Sequence, residues 1–113
     1  KMHFYYSLSL RNVMINLEES QLVLVKNILK QHLAGIEVWA FGSRVDGHCK
    51  PFSDLDLVII HQKPIDLECM VFLKEAFSDS NLPIKVDLIE WYNIPDSFRE
   101  IIEKKYEVIQ GAN

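Results

Sequence analysis

Cysteine is scarce in this chain. There are two, Cys49 and Cys69, and no C-x-x-C. That is too few for a disulfide scaffold. His48, Cys49 and Cys69 also lack the spacing of zinc ligands. Basic residues do not dominate: Lys plus Arg is 12 against 16 for Asp plus Glu, a formal net charge of −4. A general binder of phosphate backbones carries a basic excess, so no direct nucleic-acid partner is expected. No apolar run approaches the roughly 18 residues of a membrane span, so no membrane partner is expected either. Two nucleotide motifs are missing. Gly42 and Gly47 echo P-loop spacing, but His48-Cys49 stand where the phosphate-binding lysine and its hydroxyl neighbour belong. No G-x-G-x-x-G supports a dinucleotide fold.

What is present describes one globular domain. The chain has 113 residues, 49% of them hydrophobic and 25% charged, ordinary values for a chain with a single core. The opening, Lys1-Met2-His3-Phe4-Tyr5-Tyr6, does not begin with methionine. Residues 1–13 read as a leader or vector-derived segment of little information. They lack the long apolar region and cleavage site of a signal peptide. Residues 14–113 read as the domain, with Met14 as a natural start, and a cytoplasmic location is expected.

Helical and strand signals alternate along that domain. Asn16 and Glu19 resemble a capping box. Leu22, Val25, Ile28, Leu29 and Leu33 then recur at helical spacing, and Gly35 is a natural stop. Residues 36–41 alternate as a strand, and a loop with Gly47 and Pro51 leads to a second strand over 54–60. Asp66 can cap a helix carrying Met70, Leu73, Ala76 and Phe77. Residues 84–89 make a third strand. Ser97-x-x-Glu100 caps a last helix, and residues 106–109 suggest a short final strand. The order predicts an α/β (α+β) fold, a small mixed sheet with helices packed on it.

Chemistry concentrates in the second strand. Asp54 and Asp56 are two apart, so they share a face with Cα atoms about 6.6 Å apart. Two flexible carboxylates at that spacing can converge on one cation, and Mg²⁺ is held by one or two carboxylates plus substrate phosphates. Leu55, Leu57 and Ile59 take the other face. An isolated D-x-D is also compatible with a turn followed by a solvated acid. Two further features favour a site. Gly42-Ser43 follows a strand and opens a helical turn, where glycine admits a phosphate close to the backbone. Asp87 sits in an otherwise apolar strand, where an acid needs a partner. That partner is a cation shared with Asp54 and Asp56, or a salt bridge to Lys85 or Arg44. Arg44 is in turn a candidate phosphate contact or an acid's ion-pair partner.

These residues form a recognisable string. Gly42-Ser43, ten residues, then Asp54-Leu55-Asp56 resembles the G-S-x10-D-x-D signature of the DNA polymerase β-like nucleotidyltransferase superfamily. The run AFGSRVDGHCKPFSDLDLVI from Ala40 to Ile59 resembles the short bacterial minimal nucleotidyltransferases, and Asp87 in KVDLIEW fits their third carboxylate. The resemblance spans about residues 18–109. It implies a nucleotidyltransferase fold in which Gly42, Ser43 and, less directly, Arg44 hold a triphosphate. Asp54, Asp56 and Asp87 would hold Mg²⁺, two ions being usual. The implied reaction is attack of a hydroxyl on the α-phosphorus of ATP or another nucleoside triphosphate, with pyrophosphate leaving.

The minimal members commonly occur beside an all-helical HEPN protein, for which they act as antitoxin, and some adenylylate a tyrosine of that toxin. The resemblance therefore implies a nucleotidyltransferase antitoxin with a HEPN-type partner encoded nearby. Two other functions fit the same residues: a non-catalytic antitoxin that occludes its partner, and transfer to a small molecule of aminoglycoside type. After Asp87 only 26 residues remain (113 − 87), too few for a separate acceptor-binding domain. Trp39, Trp91, Tyr92 and Phe98 can form core or a contact surface. Apolar sheet edges and end helices also suit a homodimer.

Overall fold

A computed structural model describes residues 5–6 and 14–112. The assignment of residues 1–13 to a leader lies outside the described residues, apart from Tyr5–Tyr6 (β1), which pairs antiparallel with Met14–Ile15 (β2). Then come α1 (Glu19–His32), β3 (Glu37–Phe41), the single turn α2 (Ser43–Asp46), β4 (Leu55–Ile60) and α3 (Leu67–Ser78). The chain ends with β5 (Val86–Glu90), a 3₁₀ turn at Trp91–Asn93, α4 (Asp96–Lys104) and β6 (Glu107–Gln110).

Four strands form a mixed sheet in the order β5-β4-β3-β6. β3 is antiparallel to both β4 and β6, while β4 and β5 are parallel. A parallel pair cannot be joined by a tight turn, and α3 supplies the crossover. Strand alternation decides what each face does. Val38, Ala40, Leu55, Leu57 and Ile59 are fully buried and meet Leu22, Val25 and Leu29 of α1 and Leu73 of α3 in one core. On the opposite face Trp39, in register with Val58, stacks on Tyr106 at 3.9 Å and meets Trp91 edge-on at 5.4 Å. Phe98 of α4 meets Phe41 edge-on at 5.9 Å. Trp39 thus belongs to this second, aromatic layer. The layer leaves the β4 end that carries the aspartates half-exposed.

Two caps shift. The capping box of α1 is Glu18 and Gln21, the Gln21 side chain accepting the Glu18 N–H at 3.1 Å, instead of Asn16 and Glu19. Asn16 is unavailable because it is buried, with its amide against the Cys49 thiol. α4 starts at Asp96, with Pro95 as its N-cap, ahead of the Ser97 cap expected. Proline there fixes φ near the value a helix entry needs. Among the described residues no helix is long and apolar enough to cross a membrane.

Candidate functional site

β3 ends at Phe41, and the next residue turns the chain sharply. Gly42 has φ 80° and ψ −158°, a region open essentially to glycine alone. Its carbonyl accepts from the N–H groups of Val45 and Asp46 at 3.0 Å each, which closes the α2 turn. A Cβ at Gly42 would run into the Asp56 carboxylate, lying 3.2 Å from its Cγ. Glycine is therefore required twice here, by its dihedrals and by the acid packed against it.

Asp56 sits in β4 between two neighbours. Phe41 is its register partner on β3 and Asp87 its partner on β5. Residues opposite one another on adjacent strands project to the same face, about 4.8 Å apart across the ladder. Asp54 lies two residues before Asp56, just ahead of the strand. The carboxyl of Asp56 is held above its ordinary value of 3.8, first by burial, then by the charge of Asp87, then by that of Asp54. The charges of Asp54 and Asp87 thus act on a carboxylate that is itself packed against the Gly42 backbone.

The family model described as polymerase beta, nucleotidyltransferase matches residues 13–113. The chain belongs to the polymerase β nucleotidyltransferase family. The probable protein adenylyltransferase MntA of Haemophilus influenzae is 50% identical over 96 residues, covering 85% of this chain and 84% of that protein. Two solved structures share the fold. One is a toxin–antitoxin with AMP-PNP, at TM-score 0.66 and 18% identity over 86% of this chain and 76% of that one. The other is a tri-AMPylated Shewanella oneidensis HEPN toxin in complex with MNT antitoxin, at TM-score 0.62 and 14% identity over 85% and 74% of the respective chains.

The structure brings Gly42, Asp56 and Asp87 together, with Asp54 near enough for its charge to act on Asp56, and Ser43 opens the helical turn after Gly42. The ion pair considered for Asp87 exists too, with Lys85 Nζ 3.5 Å from Asp87 Oδ1. Both side chains are well exposed, so that pair is weak and leaves the carboxylate available. Arg44 does not point at the acids. It is 3% exposed, and its guanidinium donates to the carbonyls of Asn16 at 2.7 Å, Pro51 at 3.0 Å and Ser53 at 3.0 Å. The expected phosphate contact and the ion pair with an acid both give way to a structural role. Arg44 staples the loop between α2 and β4 to the start of the domain, and so fixes where Asp54 leaves that loop.

Sequence reasoning missed this staple, and it missed Asn16 and Ser53 as its partners. Their polar groups are ordinary in a sequence and gain meaning only when the loop folds back. Ser53 also accepts the Lys50 N–H at 2.8 Å through its hydroxyl. The loop containing His48 and Cys49 is therefore tied down at several points, although His48 itself is exposed and bonded to Asp46.

The donor set suits a hard cation. It consists of carboxylate oxygens, and their mutual repulsion at Asp56 is what a cation would relieve. Among the described residues no three His, Cys, Asp or Glu side chains close into a ready-made cage.

Proposed function

We propose that this nucleotidyltransferase moves AMP from ATP to a hydroxyl of a helical HEPN-type partner, a tyrosine being the acceptor, and acts in the cytoplasm as that partner's antitoxin. The observation that carries the reading is the junction of Gly42, Asp56 and Asp87, which puts a phosphate-admitting backbone against paired carboxylates. The 50% identity to a probable protein adenylyltransferase supports a protein acceptor. So does the fold shared with an MNT antitoxin complexed with an AMPylated HEPN toxin.

In this reading Gly42 and Ser43 receive the triphosphate. Asp54, Asp56 and Asp87 would hold magnesium, two ions by the family resemblance, and that metal would supply charge neutralisation for the phosphates. The acceptor oxygen attacks the α-phosphorus in line, the bond from that phosphorus to the bridging oxygen breaks, and pyrophosphate departs. Asp87, half-exposed at the outer strand, would accept the proton that the attacking hydroxyl gives up. Most of the acceleration comes from placing charged groups against one another.

The test uses the purified pair with ATP labelled at either the α- or the γ-phosphate. Partner carrying α-label and no γ-label is expected, with none in the Asp54→Asn/Asp56→Asn variant. Inhibition of the partner by that variant, equal to wild type and without any label, would replace transfer by occlusion.

A further inference from the structure

We propose that Cys49 is an oxidation site through which hydrogen peroxide switches off nucleotidyl transfer: its sulfenic acid unclamps the loop that delivers Asp54 to the metal-binding acids. The switching part rests on the transfer reading above.

Cys49 lies in the loop between α2 and β4, ahead of Asp54. The thiol is partly exposed, and Gly47, His48 and Lys50 around it are exposed, so a small oxidant reaches it from solvent. Its inner side faces Asn16, which is 8% exposed and places its amide nitrogen 2.6 Å from Cys49 Sγ. The other end of that amide, Oδ1, is buried with no hydrogen-bond partner. A buried acceptor left without a donor is costly. A sulfenic acid carries an O–H, the donor that this carbonyl lacks. The Asn16 amide therefore offers the oxidised sulfur an acceptor that the reduced thiol leaves idle. Cys69 differs: its thiol donates to the His32 carbonyl at 3.1 Å.

The thiolate is the form that reacts. Its sulfur attacks one peroxide oxygen, the S–O bond forms and the O–O bond breaks. Sulfur gives up two electrons, and the released hydroxide takes a proton and leaves as water. The added oxygen has to enter a contact of 2.6 Å, which has no room for it, so Cys49 and Asn16 part. Asn16 is tied to α2 through both main-chain groups. Its N–H donates to the Arg44 carbonyl at 2.8 Å and its carbonyl accepts from the Arg44 guanidinium at 2.7 Å. The same guanidinium holds the carbonyls of Pro51 and Ser53. A displacement at Cys49 thus passes to the turn that begins at Ser43 and to the approach of Asp54.

The test treats the full chain with hydrogen peroxide and traps sulfenic acid with dimedone, then mixes it with the purified HEPN-type protein, ATP and magnesium. A single adduct is expected at Cys49 ahead of Cys69. Hydrogen exchange at the Lys50 and Ser53 amides, which close the loop on itself, should quicken at least about tenfold. Transfer by peroxide-treated chain without dimedone should fall at least about tenfold and return with dithiothreitol, since small misplacements at such a site are expensive. Cys49→Ser should match the untreated rate and keep it under peroxide, while Cys69→Ser stays sensitive. An adduct on Cys69 alone, or a disulfide-linked dimer as the product, would overturn the proposal. So would oxidised Cys49 with unchanged exchange and rate, or equal loss in Cys49→Ser. Reduced wild type that labels no partner would refute the transfer reading, and a Cys49 adduct with faster loop exchange would leave the oxidation site standing.

Discussion

Asp56 and Asp87 stand opposite each other in the parallel β4–β5 ladder, and the backbone of Gly42 is packed against the first of them. Three segments far apart in sequence therefore meet at one point. That meeting makes the site a unit whose parts can be perturbed separately.

Gly42→Ala forces an L side chain into a conformation reserved for glycine and pushes a methyl into the Asp56 carboxylate. The backbone strain alone costs about 1–3 kcal/mol. Transfer should fall further than stability, because Asp56 must move. Gly47 gives the control: it also has positive φ, 88°, but nothing lies within 4 Å of an added Cβ. Gly47→Ala should destabilise and spare turnover. Urea melts paired with transfer rates separate the two effects.

Arg44→Met leaves the carbonyls of Asn16, Pro51 and Ser53 without their donor. Losing buried hydrogen bonds from a charged group should cost about 2–4 kcal/mol in all. Arg44→Lys should recover little, since one ammonium cannot reproduce the planar fork. Equilibrium denaturation of the three proteins checks both statements.

The raised carboxyl of Asp56 has a definite sign. Its folded form holds a proton more tightly than the unfolded chain, whose carboxyl titrates near 3.8. The associated stability is present at low pH and is lost as pH rises through the folded value. In metal-free protein, Asp56→Asn removes that loss. The melting advantage of the variant over wild type should therefore grow from about pH 4 towards neutrality. Magnesium should raise the melting temperature of wild type more than that of the variant. Thermal melts across pH, with chelator and with magnesium, read both.

Asp54→Asn and Asp87→Asn, made singly, should each lower transfer at least about a hundredfold, the scale of losing one preorganised charge contact. Neither should loosen the partner complex by more than a small factor. Parallel binding and labelling assays check the separation.

Much of this was legible in the sequence because the signals are local. The alternation of Leu55, Leu57 and Ile59 gave the buried face of β4, and the Asp54–Asp56 spacing set the exposed acids. The G-S-x10-D-x-D string named the family. What escaped depends on distant segments. Arg44 looked like an anion contact because its partners are main-chain carbonyls, which have no sequence signature. Asn16 looked like a cap because nothing local reveals that it is buried against Cys49. Trp39 fits a core strand by pattern, yet the alternation puts it on the other face, where Tyr106 and Trp91 arrive from the end of the chain. Strand order, and with it the open edge of β5, follows from the crossover by α3.

The most direct measurement is the intact mass of the HEPN-type partner after co-production with this chain, compared with co-production with its Asp54→Asn/Asp56→Asn variant. The account predicts a partner heavier by whole AMP units in the first case and unmodified in the second. Identical masses in the two preparations, with the pair co-purifying in both, would contradict it.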